Sequence, residues 1–251
     1  MVFEQNNIEL QQYNPLVFAN LHEFEVSKRL LQKNKKKIAE LGLIIKEHNL
    51  HQEIGVCLLH KHFNLFDKEI LVRHYSNNKI TIKPEVIQSS EVTPYMIGFA
   101  RTTAKSELQL FPLEFISITN DTAHYKESIG KVIEKGDFLN KVASFLKESQ
   151  LENLFGISLL PYKLFNVKGL LSLLETENEQ ERMLTIALQN PKEPLQPGFE
   201  ITQTLWTFRE NDDTKQFLGC SHSCSHSCSH PDSDGGGSDD GGGGDDGGVD
   251  V

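Results

Sequence analysis

The chain has 251 residues, 38% of them hydrophobic, a formal charge of −10 and four cysteines. That length suits one domain or two small ones. An acidic balance excludes bulk nucleic-acid binding, which needs a basic footprint to displace phosphate counterions. Seven aspartates, Asp232 to Asp250, lie in the last twenty residues, as do nine of the eighteen glycines. The body before them is therefore close to neutral, and it is large enough to bury a core without covalent staples. Only Cys57 falls before the tail that begins at Cys220, so no disulfide framework is expected and a reducing compartment, the cytoplasm, fits. No basic n-region leads into an apolar run at the start, and no stretch reaches the roughly 18 apolar residues of a membrane span. Export through a C-terminal signal stays open at this stage.

Residues 1–20 are polar and mixed, and Pro15 predicts an irregular lead without a helix. A single α+β domain is expected over 21–210. From Leu21 the pattern is helical, with Phe24, Leu31, Ile38, Leu41 and Ile45 on one stripe. Lys28, Arg29, Lys33, Lys35, Lys36 and Lys37 crowd the same stretch. Asn49 suits a left-handed position just after the helix, and Lys46 and His48 suit its negative end.

Strands follow. Gly55–Asn64 and Glu69–Tyr75 flank a short connection and predict a hairpin. Ser76-Asn77-Asn78 turns the chain into Lys79–Ile87, where Pro84 marks an edge or an interruption. Met96–Arg101 and Glu107–Ile118 complete a four- or five-stranded meander, antiparallel because the connections are too short for crossovers. A helical block is expected over Tyr125–Leu154, then a short apolar piece at Lys168–Leu174. Glu181–Gln189 and Glu200–Arg209 close the body as a C-terminal hairpin across a proline-rich loop. Helix, strands, helix, strands is α+β order. Residues 211–219 form a linker.

The most specific pattern lies at 220–230. Cys220, His222, Cys224, His226, Cys228 and His230 alternate thiol and imidazole at every second position, with serines between. Thiolate and imidazole are the favoured protein ligands of zinc, and thiolate also holds copper(I). Four of the six could close a tetrahedral site for Zn, Cu or Ni. No aromatic or aliphatic residue is there to be organised, so this is not a zinc finger but an exposed chelating tether. The stretch 231–251, rich in glycine and mutually repelling aspartate, predicts a disordered coil. It lacks the aliphatic position of the calcium-binding nonapeptide repeat. It could lie weakly on the basic helix face at Lys33–Lys37, though a solubility role is the simpler reading.

In the body, His60 and His62 stand two apart, so on a strand both imidazoles share a face, about 6–7 Å apart along the chain. A hairpin turning at Phe66-Asp67 would add Glu69 and Arg73 on that side, making His60, His62 and Glu69 a two-histidine, one-carboxylate metal set with open positions. The alternative is a hydrogen-bonded structural pair. His74 and Cys57 fall on the opposite face, Cys57 as a buried apolar residue, and His124 lies far off. No dinucleotide fingerprint, phosphate loop, nucleophile elbow or His-Glu-x-x-His motif occurs, and no organic cofactor is indicated.

Three functional readings follow. The first is non-enzymatic metal handling or sensing, with a transition-metal ion held by the tail and the body as a platform for a protein partner of unknown kind. The second is an interaction or exported protein whose tail is only a linker or solubility segment. The third is a metal-dependent enzyme centred on His60, His62 and Glu69. None involves nucleic acid or membrane.

Overall fold

The computed structural model describes residues 8–102, 105–165, 173–188, 201–208 and 219–222, the last as backbone. The chain is α+β: helices pack on a ten-stranded, mostly antiparallel sheet. No helix among the described residues is long and apolar enough to cross a membrane.

Helix α1 (Pro15–Ala19) occupies the stretch expected to be irregular. The proline sits at the first helical position, where its missing N–H costs nothing, and the Asn14 side chain caps the Leu16 N–H at 3.0 Å. Helix α2 (Phe24–Glu47) follows the predicted stripe, with Phe24, Leu31, Ile38, Leu41 and Ile45 all buried. It ends as its residues dictate. Asn49 has φ 57°, its N–H bonds to Lys46 O, and the Leu50 N–H bonds to Ile45 O.

Strand β1 (Ile54–Leu58) is buried along its whole length, because α2 lies against it and Cys57 and Leu58 line the interior. The expected hairpin with the next strand does not form. After Leu58 the chain turns to the start of α2, where Ser27 Oγ donates to Leu59 O at 2.7 Å and the Lys61 N–H bonds to His22 O. Strands β2 (Ile70–Ser76) and β3 (Lys79–Glu85) do pair, through a two-residue turn in which Asn77 and Asn78 have φ 50° and 56°. Two adjacent positive φ values match the right-handed twist of the flanking strands, and asparagine tolerates them.

Strands β4 (Val92–Thr102) and β5 (Lys105–Ser117) form the predicted antiparallel pair, but β5 then runs parallel to β2, so the strands are not a simple meander. The helical block resolves into α3 (His124–Ile133) and α4 (Gly136–Ser149). Strand β6 (Phe155–Leu159) and the short α5 (Tyr162–Phe165) come next. Strands β7 (Leu173–Asn178), β8 (Met183–Leu188), β9 (Thr202–Trp206) and β10 (Gly219–His222) complete the sheet. Only Leu173 and Leu174 of the apolar piece expected at 168–174 fall within the described residues, at the start of β7.

The order across the sheet is β10-β9-β1-β6-β4-β5-β2-β3-β8-β7. The expected hairpin of 181–189 with 200–209 is therefore absent: β8 pairs with β7 and β3, and β9 pairs with β1 and β10. The sheet curls until its terminal strands β10 and β7 touch. Its concave side becomes an enclosed interior, which residues from seven or more strands can share.

Close approach of β1 to β9 depends on Gly55, where an added Cβ would stand 2.3 Å from the Trp206 carbonyl oxygen. Backbone cannot swing aside as a side chain can. Gly55→Ala is expected to cost about 3 kcal/mol, read as a lowered midpoint in equilibrium urea unfolding.

Candidate metal centre

The interior holds a cavity of ≈ 30 Å³ lined by His60, His62, Arg73, Tyr95, Glu114 and Glu175 among others. These groups come from β2, β4, β5, β7 and the segment after β1, so sheet closure assembles them. Strand β7 turns Leu173, Glu175 and Glu177 to one side, following the two-residue period of a strand. The Glu175 and Glu177 side chains are 6% and 3% exposed, and that of His62 is 6% exposed. Two carboxylates are thus aimed at a dry interior, which is costly without compensation.

Compensation comes through the histidines. His62 Nδ1 lies 2.9 Å from Glu177 Oε2, and His60 Nδ1 lies 3.0 Å from Leu58 O. A carbonyl and a carboxylate oxygen only accept, so each Nδ1 carries the proton and donates. A neutral imidazole has one N–H. In both rings the lone pair is therefore on Nε2, and these two atoms face one another at 3.0 Å. Glu175 Oε1 stands 3.3 Å from His62 Nε2. Two nitrogen lone pairs and a carboxylate oxygen thus converge, and only a cation makes that arrangement favourable, either a proton or a metal ion. The ligand atoms of His60, His62 and Glu175 all lie within 4.8 Å of one another.

The surroundings hold these ligands in place. The Phe24 ring packs on His60 at 5.1 Å between centroids. Glu177 on His62 and the Leu58 carbonyl on His60 fix tautomer and ring orientation, as such outer hydrogen bonds do for histidines that bind metal. Glu177 Oε1 is buried without a hydrogen-bond partner among the described residues. Across the cavity, Arg73 Nε donates to Glu114 at 2.7 Å, and the guanidinium lies 4.5 Å over the Tyr95 ring. Burial alone would pull the Arg73 pKa down, but Glu114, Tyr95 and Glu175 outweigh it and hold it above its ordinary value.

Glu69, grouped with the histidines on the hairpin assumption, is placed elsewhere. Arg182 grips it with two bonds, Nη1 to Oε1 at 3.0 Å and Nη2 to Oε2 at 2.7 Å, and the Phe66 N–H adds a third. The same guanidinium donates to Asn64 O and lies 4.2 Å over the Phe66 ring. Glu69 is thus a clasp that fastens the histidine segment to the β7–β8 turn. Arg73 does share the cavity. Cys57 does as well, contrary to its expected place on the opposite face, because β1 ends at Leu58 and strand alternation lapses before His60. Burial pushes the Cys57 thiol above its ordinary value. His74 pairs with Glu85 at 3.0 Å, and His124 begins α3.

Sequence reasoning missed Glu175 and Glu177. Their Glu-x-Glu spacing on a short strand mirrors His60-x-His62, and that shared period was the available signal. Of the tail ligands, Cys220 and His222 fall on strand β10, where the backbone alone is described. Cys224, His226, Cys228 and His230, like the coil at 231–251 and most of the linker at 211–219, lie outside the described residues. No family model, curated protein or solved structure matches the chain.

Two outcomes are expected. Arg73→Met leaves Glu114 buried and uncompensated and should cost about 3–5 kcal/mol. The double variant Arg73→Met, Glu114→Leu should recover most of it in urea unfolding. Arg182 and the Phe66 N–H hold the Glu69 carboxyl below its ordinary value. Its stabilisation is therefore complete above the ordinary carboxylate range and is lost as pH falls through the lowered folded value. Glu69→Gln should cost at most about 1 kcal/mol at neutral pH, and the difference from the native protein should vanish at low pH.

Proposed function

We propose that the protein binds one first-row divalent metal ion inside its curled sheet, at His60, His62 and Glu175, and that its role is metal handling. The observation that carries this reading is the pair of Nε2 atoms facing each other at 3.0 Å while both Nδ1 protons are committed outward. One dipositive ion would satisfy both lone pairs and Glu175 together, and would offset the excess of carboxylates over guanidinium around the cavity. Two imidazoles and a carboxylate suit Zn²⁺, Fe²⁺, Ni²⁺ or Cu²⁺, and disfavour Mg²⁺ and Ca²⁺, which prefer all-oxygen shells.

Size argues for handling over turnover. Pockets for organic ligands run from roughly 300 to 1,000 Å³, whereas the cavity at His60, His62 and Glu175 is ≈ 30 Å³. It has room for an ion and a water. The tail run at Cys220–His230 supplies a second, softer set of ligands, and a reducing cytoplasm would keep its thiols competent. This reading keeps metal handling as the role but moves the resident ion from the tail to the body, with Glu175 in the place first given to Glu69.

The test is metal content by elemental mass spectrometry on reduced, full-length protein whose six tail ligands are replaced by serine and asparagine. One equivalent should remain, and it should be lost on adding either His62→Ala or Glu175→Gln. A tail-substituted protein that folds but holds no metal would sink the proposal. The interior cation would then be a proton on His62, and any metal would belong to the tail.

A further inference from the structure

A centre so enclosed has an access problem. The side chains of His62 and Glu175 are each 6% exposed, and the cavity they line is ≈ 30 Å³. A wall must move before an ion enters or leaves. Eight strands, β1, β2 and β4 to β9, give residues to that wall, and each is held to its neighbours by ladder hydrogen bonds. Parting them would leave backbone donors and acceptors unpaired. Residues 62–69 are built differently. Their near end is pinned at Lys61, whose N–H bonds to His22 O and whose Nζ lies 3.1 Å from Glu23. Among the described residues, the backbone of 63–68 joins no neighbouring strand, and Asn64, Phe66, Asp67 and Lys68 are exposed. Phe63 and Leu65 rest half-buried on the core. The remaining fastenings converge on one side chain. Arg182 holds Glu69 with two bonds, donates to Asn64 O and lies over the Phe66 ring.

We infer that residues 62–69 are a strap that lifts to admit and release the ion, and that Arg182 is the latch that sets how often it lifts. The inference rests on the interior centre holding an ion. Lifting takes one ligand away, because His62 rides on the strap while His60 stays behind the pin at Lys61. Glu175 stays as well, on the ladder of β7 with β8. The ion is then left on two ligands and open to water, which replaces His62. The latch is placed to close again. Arg182 has φ 48°, a left-handed value that a residue other than glycine seldom adopts. Its own turn holds it there, through the Arg182 N–H on Glu179 O and the Glu181 N–H on the Asn178 side chain. The guanidinium therefore keeps its position when the strap is up. The Arg182 and Glu69 side chains are 26% and 15% exposed, wet enough for the clasp to break and re-form without unfolding the sheet.

Zinc exchange on the full-length, tail-substituted protein separates a latch from a mere support. Release is followed by stopped-flow absorbance after mixing the Zn²⁺-loaded protein with excess pyridylazoresorcinol. Loading is followed by the rate at which metal-free protein takes Zn²⁺ from a fluorescent indicator. Arg182→Gln should raise both rates roughly tenfold and leave the equilibrium affinity nearly unchanged, because it frees the strap without touching a ligand. Glu69→Gln, which keeps Arg182 and its bond to Asn64 O, should raise both by up to about fivefold, the rate equivalent of the stability it is expected to lose. Faster release alone, matched by weaker affinity, would mean that the clasp only shapes the site. Equal rates in all three proteins would put the path of the ion elsewhere. Either result overturns the strap while leaving the interior centre standing. No Zn²⁺ held at equilibrium by any of the three would take down the interior centre and the strap with it.

Discussion

The interior of this protein is organised by a surplus of buried negative charge. Glu114, Glu175 and Glu177 face inward, and Arg73 is the guanidinium among them. Arg73 serves Glu114 through a direct bond and is itself held over Tyr95. Glu175 and Glu177 both lie against the imidazole of His62. Dry protein does not tolerate such a surplus unless something positive answers it. Much else in the fold serves that answer, from the inward turn of β7 to the early end of β1 and the curling of the sheet that brings them face to face.

The site is made from two residue pairs with the same two-residue spacing, His60-x-His62 and Glu175-x-Glu177, carried on segments that are remote in sequence. Neither pair is chemically complete. The histidines need acceptors for their Nδ1 protons, and the glutamates need donors. Glu69 and Arg182 settle the geometry from outside by fastening the loop that follows the histidines to the turn that follows the glutamates. A carboxylate that looked like a ligand from its spacing is thus a structural pin. The ligand it was mistaken for arrives from more than a hundred residues downstream.

What could be seen in advance divides by range. Helix α2, its asparagine terminus at Asn49 and the Asn77-Asn78 turn were legible because each is decided by neighbours within a few residues. The β4–β5 pair was legible for the same reason. Strand β1 was not, because its partners β6 and β9 lie about 100 and 150 residues away, and a fully buried strand carries no alternation to betray them. The parallel pairing of β2 with β5 and the separation of β8 from β9 are likewise settled by closure of the whole sheet. His60 and His62 could be picked out as a pair by spacing. Their carboxylate could not, since nothing local links Leu58 to Glu175. Pro15 misled for a different reason: at the first turn of a helix its missing N–H is no defect.

The bond between His62 and Glu177 joins residues 115 apart. Closing so long a loop costs entropy that is recovered only when the intervening sheet is largely in place. The cluster of His60, His62, Glu175 and Glu177 is therefore expected to come together late in folding, after the strands between them have formed. A cation bound there would act on a structure already built, so it would add little to the rate at which the chain folds. Its influence would fall on the lifetime of the folded molecule, because opening the curled sheet would first have to release the ion.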